Sequence, residues 1–268
     1  MTNKVAVYKC VIGDYDTVPT SVPNSPGVDF YLFSDAEIQG RTEWNSILLS
    51  LPHLSPAAQN RFVKMQPWLL LPQYDYWLYV DGNIDITGDI TELIGNAIRD
   101  NNLTLGMYQH PFRKCLYSEG AACIKHSRDW FWHIALQVRK YYKVGYPLDN
   151  GLYEAGVMLV RNSDEAQNLL TSWWLEYLSG STRDQIALPF TAWRLQTSIT
   201  NLGVSDFRYQ HKYFRLLTHK KKATGIVLFL TRAVNYAVYR FVPASMLFGI
   251  KGWKPEIGEP FNEKRASK

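Results

Sequence analysis

Short apolar runs that each end in a cluster of polar turn residues set the rhythm of this chain. Val5 to Ile12 is β-branched and apolar apart from Lys9, and it runs into Gly13-Asp14-Tyr15-Asp16, which predicts a buried strand opening into a loop. Val28 to Phe33 repeats the pattern before Ser34-Asp35, and Tyr76 to Val80, wholly apolar, ends at Asp81-Gly82-Asn83-Ile84-Asp85. Leu103 to Tyr108 and Ala155 to Val160 read as further strands. Between them the period changes to that of helices. Ser55-Pro56 is a helix start, with Ser as N-cap and Pro at the first helical position, and Pro67 ends or kinks that helix. Asp89 with Glu92 predicts a capping box for a helix reaching about Asn101. Helical patterns also cover Ser118 to about Tyr142, with a break near Ser127, and Ser163 to Leu178. Alternation of strand and helix predicts an α/β domain with a mainly parallel sheet, whose ligands gather at the carboxyl ends of the strands.

Composition adds limits. With 268 residues, 46% hydrophobic, 20% charged and 14% aromatic, the chain is neither disordered nor fibrous and can bury a sizeable core. Cys10, Cys115 and Cys123 make no disulfide framework and no CxxC metal pattern, which points to a reducing compartment. The N-terminal residues lack the apolar core of a signal peptide, so a cytoplasmic protein is expected. The net charge of +5 is uneven: residues 1–210 hold 17 Lys and Arg against 21 Asp and Glu, whereas residues 211–268 hold 12 against 3. We therefore expect a body over 1–210 and a basic, apolar extension over 211–268. An acidic body argues against a nucleic-acid enzyme, whose basic surface surrounds its working site. The extension carries Lys220-Lys221-Lys222 and then Gly225 to Ile250, an apolar stretch broken by Arg232, Asn235 and Arg240 and kinked at Pro243. This pattern suits amphipathic helices lying on an anionic membrane, at its inner face for a cytoplasmic protein; a helix packed on the body is the plainer alternative.

The residues 76–86, YWLYVDGNIDI, carry the clearest chemical signal. A buried strand that opens into closely spaced oxygen ligands is what a hard divalent cation bridging a diphosphate needs, and Mg²⁺ or Mn²⁺ takes only one or two carboxylates from the protein. Asp81, Asn83 and Asp85 are the candidate ligands; an ordinary Asp-Gly-Asn turn is the competing reading. Arg61 and Lys64, three apart on one helix face, supply positive charge nearby.

These pieces, in this order, resemble the GT-A glycosyltransferases, which use nucleotide-diphosphate sugars. Asp81-Gly82-Asn83 is similar to their DxD element, and VAVYKCVIGDYD to their first nucleotide-binding strand and loop. Asn60 to Lys64 resembles an RxxK-type phosphate segment, Gly151 to Leu159 the N-x-G strand of glycogenin-like and galactinol-synthase-like enzymes, and Arg183-Asp184-Gln185 their DQ element. The resemblance covers about residues 4 to 195 and is nearest to a GT-A branch found in bacterial polysaccharide loci and plant Golgi proteins. Two positions depart from the pattern: Asn83 stands for the second Asp of DxD, and Glu154 for the Asn of N-x-G.

The resemblance implies a GT-A, Rossmann-like sheet flanked by helices and a metal-assisted transfer of sugar from a nucleotide-sugar donor to a glycan or lipid-linked acceptor, with Mn²⁺ or Mg²⁺ as cofactor. Asp184, then Glu154, are the expected catalytic carboxylates; Asp14, Tyr15, Asp35, Arg61, Lys64, Asp81, Gly82 and Asn83 the donor contacts; and His110, Glu119, Gly156, Arg183 and Gln185 the sugar or acceptor contacts. His211 or His219 is a candidate extra metal ligand. A nucleotidyltransferase is the alternative enzyme, although no GxGxxG or GxxxxGK[ST] loop occurs, and a non-catalytic carbohydrate- or membrane-binding module is the third reading.

Overall fold

The computed structural model describes residues 3–40, 42–100, 102–204, 207, 211–220 and 225–257. Strands β1 (Val5–Val11), β2 (Val28–Ser34) and β3 (Asn45–Leu48) open the chain. Helices α1 (Pro56–Met65) and α2 (Pro67–Leu70) lead into β4 (Tyr76–Val80) and, after a turn, β5 (Ile84–Ile86). There follow α3 (Thr91–Ile98), β6 (Leu105–Gln109), α4 (Leu116–Lys125), α5 (Phe131–Lys143) and β7 (Tyr153–Arg161). Helices α6 (Asp164–Ser179) and α7 (Asp184–Leu195), strands β8 (Ile199–Val204) and β9 (Phe214–Leu216), and helices α8 (Ile226–Phe241) and α9 (Ala244–Phe248) complete the description.

Seven strands form one sheet in the order β3-β2-β1-β4-β7-β6-β8. Four neighbouring pairs are parallel, and β7 runs antiparallel to both β4 and β6. The reversal brings the start of β7, with Glu154 and Gly156, to the same edge as the ends of β1, β4 and β6. The sheet is thus the expected mainly parallel α/β layer, flanked by helices.

Alternation of side chains along each strand divides the core. Ala6, Tyr8, Cys10, Trp77 and Tyr79 pack under α1, α6 and α7, whereas Val5, Val7, Leu78 and Val80 face Trp44 and α3. A third cluster joins α4, α5 and α7 to Phe248 of α9. All three cysteines are buried free thiols.

Local signals behave largely as their chemistry dictates. Ser55 Oγ accepts from Ala58 N at 3.3 Å and caps α1, which ends before Pro67. The break near Ser127 falls between α4 and α5, where Ser127 takes a positive φ of 51°. The Asp89–Glu92 capping box does not form. Asp89 Oδ1 accepts from Thr91 N at 2.8 Å, but Glu92 turns to Tyr213 Oη at 3.0 Å and to Lys212, a partner 120 residues away. The end expected for that helix, Asn101, lies outside the described residues.

The expected division at residue 210 is crossed by a strap. Residues 211–220 return to the body, β9 pairs with β5, and Leu217 N donates to Asn83 O at 2.7 Å. Beyond the strap, α8 and α9 cover α4 and α5, and no helix among the described residues is long and apolar enough to cross a membrane.

Candidate functional site

A cavity of about 800 Å³ opens at the strand ends, within the range of small-molecule sites. One end is built by the turn after β4. Asp81 N donates to Gly156 O at 2.8 Å and Asp81 O accepts from Ile84 N at 2.9 Å, so the backbone holds the turn whatever its side chains do. Asp81 keeps about a third of its side chain exposed to the cavity (32%). Two glycines allow the crowding around it. A Cβ on Gly82 would stand 2.5 Å from Asp16 Oδ2, and one on Gly156 would stand 2.8 Å from Ile84 Cδ1 and 3.3 Å from Asp81 Oδ2.

The strap closes this end. Asp16 Oδ1 lies 2.6 Å from His219 Nδ1, whose ring tilts against Tyr15 with centroids 4.5 Å apart, and Asn83 Nδ2 lies 3.5 Å from His219 Nε2. His219 therefore joins the site, whereas His211 is packed against Phe207 and Phe214. Asp85 faces away, paired with Arg215 at 2.8 Å, and it does not line the cavity. Asp14 is held by Lys220, and Asp35 accepts from Gly13 N at 3.0 Å; both shape the β1 loop without lining the cavity. Sequence reasoning passed over Lys9. It is buried, donates to Ile84 O beneath the turn, and its pKa falls to about 8 because burial outweighs the pull of Asp85, Asp81 and Asp16. A charged residue inside an apolar strand was the signal for it.

The floor is an ion network. Lys64 Nζ lies 2.8 Å from Asp184 Oδ2 and 3.8 Å from Asp81 Oδ1, between the rings of Tyr79 and Trp173 at 5.1 and 5.7 Å. Arg61 Nε stands 2.9 Å from the same Asp184 oxygen, close enough for an ion pair though without hydrogen-bond alignment. Burial alone would raise the Asp184 carboxyl, but Arg61, Lys64 and Arg183 together hold it well below the usual carboxylate range. A buried carboxylate shared by cations holds protons poorly and is suited to orienting its partners, which bears on the expectation of Asp184 as the first catalytic carboxylate.

The far end holds several charged side chains. His110 Nδ1 accepts from the backbone N–H of Phe112 and Arg113, both at 3.0 Å, and its Nε2 faces Glu154 Oε1 at 3.5 Å. Arg113 Nε lies 2.6 Å from the buried Glu119, which also accepts from Cys123 Sγ at 3.2 Å. Burial, then Glu119, pushes the Cys123 thiol up. His126, Arg128 and Thr182, from the α4–α5 connection and the loop before α7, line this end too. No sequence signal set them apart from ordinary surface residues. Arg183 Nε and Gln185 Nε2 are buried with no hydrogen-bond partner, and both residues line the cavity.

Among the described residues no three His, Cys, Asp or Glu side chains converge as a closed metal cage. The donor set of Asp81, Asn83 and Asp16 is hard oxygen, and it fits a cation that keeps waters and shares a substrate phosphate rather than one enclosed by protein. Gly82→Ala tests the crowding directly. The added Cβ must displace Asp16, costing about 1–3 kcal/mol and so lowering the melting temperature by about 3–10 °C. Gly95→Ala in α3, where a Cβ meets nothing within 4 Å, is the control, expected to be neutral or slightly stabilising on the same scan.

A search among curated proteins finds no match to the chain. The sequence profile described as TOD1/MUCI70, glycosyltransferase-like domain, matches residues 2–219, through β9 and into the strap as far as His219. Sheet, cavity and profile agree, and the chain belongs to the TOD1/MUCI70 glycosyltransferase-like family.

Proposed function

We propose that this glycosyltransferase-like protein moves a sugar from a nucleotide-diphosphate donor to a glycan or lipid-linked acceptor, with Mg²⁺ or Mn²⁺ at Asp81 and Asn83, in cell-surface polysaccharide synthesis. The observation that carries the reading is one cavity in which the Asp81-Gly82-Asn83 turn stands over buried Lys64 and half-buried Arg61, with Glu154 and His110 beyond. A divalent cation held by Asp81 and Asn83 would supply charge neutralisation to a leaving diphosphate, and Arg61 and Lys64 add fixed positive charge beneath it. Arg61, Lys64 and Arg183 together exceed Asp184 and Asp81 by one positive charge, so the floor remains attractive to an anion while its geometry stays fixed, which is the preorganisation that lowers a charged barrier.

Tyr15, 41% exposed beside His219, offers an aromatic face to the nucleobase. Glu154 keeps 19% of its side chain exposed next to His110 Nε2, which supports it as the carboxylate that orients or deprotonates the acceptor hydroxyl in this reading. In the transfer, the acceptor oxygen bonds to the anomeric carbon, its proton passes to Glu154, and the diphosphate leaves with the electron pair of the broken bond.

Thermal unfolding against a panel of nucleoside diphosphates and nucleotide-sugars, with Mn²⁺ and with EDTA, tests the proposal. A ligand at a hundredfold its Kd stabilises by about 2.7 kcal/mol. We expect a rise in melting temperature with one base, lost in EDTA; no rise with any nucleotide rejects the donor assignment.

A further inference from the structure

Helix α8 is built inside out. Its two buried residues are polar, Thr231 and Asn235, and they face the protein. Asn235 Oδ1 accepts from Phe131 N at 3.0 Å and its Nδ2 donates to Asp129 O at 2.7 Å, which pins the helix to the start of α5. The opposite face holds Ile226, Phe229, Leu230, Tyr236 and Phe241, at exposures from 47% to 80%. A single exposed leucine means little; a whole helix face of large apolar side chains opposite a polar seam marks a surface meant to be covered.

The charge around that face says by what. From Gly225 to Pro255 there are four Lys and Arg and no Asp or Glu. Arg232 and Arg240 are both exposed on α8, eight residues apart, and Arg240 falls at the centre of the apolar face, between Ile226 and Tyr236 on the helical wheel. Lys125 Nζ stands 5.9 Å from the Tyr239 ring at its edge. In a two-fold pairing of identical copies this face would bring arginine toward arginine, in the part of an interface where charge is normally depleted. At a bilayer the same arginines snorkel to phosphate while the apolar side chains enter the acyl boundary.

We propose that the outward face of α8 docks on an anionic lipid bilayer, with Arg232 and Arg240 reading its charge. The docking stands independently of the sugar-transfer reading, and it gives that reading a location. Asp129, whose carbonyl holds Asn235, also binds Thr182 N and Oγ1 through its carboxylate at 2.7 and 3.0 Å, so the docked helix is tied to the far end of the cavity.

Co-sedimentation of the full chain with vesicles of phosphatidylcholine alone, or mixed with phosphatidylglycerol, tests the proposal. Binding is expected with the mixed vesicles only. Phe229→Asp with Phe241→Asp should abolish it, and Arg232→Gln with Arg240→Gln should weaken it about fivefold for each charge. Both double variants leave the buried seam intact, so their melting temperatures and any nucleotide-dependent shift should match the parent. Absence of binding to mixed vesicles, or full binding by the Phe229→Asp, Phe241→Asp variant, overturns the proposal. So does a dimer in sedimentation velocity that this variant dissolves, which would make a second copy the occupant. A lost nucleotide shift with retained vesicle binding would reject the transfer reading alone.

Discussion

Replacing Asp81 by Ala is expected to lower turnover of the nucleotide-sugar donor by a factor of about 10²–10³ while the fold survives. The reasoning separates side chain from backbone. The turn is held by main-chain bonds from Asp81 N to Gly156 O and from Ile84 N to Asp81 O, neither of which needs the carboxylate. Lys64 keeps its closer partner Asp184, so no buried charge is stranded. What goes is the only carboxylate that the turn directs into the cavity, since Asp85 is turned to Arg215. Steady-state donor turnover with Mn²⁺, beside a circular-dichroism melt, checks both halves. Turnover that persists in a folded Asp81→Ala protein would reject the metal assignment.

Asp184→Asn should act in the opposite order, on stability before chemistry. Asp184 is buried, and its loss leaves Lys64 and Arg61 without their shared anion. Breaking a buried pair from one side costs about 3–5 kcal/mol, or a melting point lower by about 6–20 °C. The pH dependence has a defined sign. Because the folded carboxyl titrates below its unfolded value, its stabilisation is present above the unfolded pKa of about 4 and fades as pH falls through it toward the folded one. Wild type and variant should therefore differ most above about pH 5 and converge in more acid solution. A gap that stays constant down to pH 3, or no gap, would show that the network does not hold Asp184 as described.

Much of this architecture was legible wherever a short stretch of chain decides its own structure. The apolar runs of β1 and β4 and the Ser55-Pro56 cap carry their signals in consecutive residues, and the glycosyltransferase resemblance rested on the order of such pieces. Strand direction is different: nothing in Ala155 to Val160 says that β7 runs antiparallel, because pairing partners are chosen by the rest of the sheet. The edge strands β3 and β8 are mostly exposed and so lack an apolar pattern to read. Glu92 was lost to a distant lysine, Lys9 was buried beside Ile84 and Trp44, both distant in sequence, and Arg128 and Thr182 at the far end of the cavity came from connections with no periodicity at all. For the site, the motifs drew attention to Asp81, Lys64 and Glu154 in consecutive residues, whereas the cations around Asp184 come together only by tertiary placement.

The strap has a consequence for the order of events during synthesis. The Asp16–His219 contact joins residues 203 apart, and Asn83 meets Leu217 across 134. Contacts of such sequence separation form late, because a long loop must close before they are rewarded. A chain still emerging from the ribosome can assemble β1, β2 and β4 well before residue 219 is available. The Asp81 end of the cavity therefore stays open until the strap has been made, and the cavity is complete only when nearly all of the family-matched length has been synthesised.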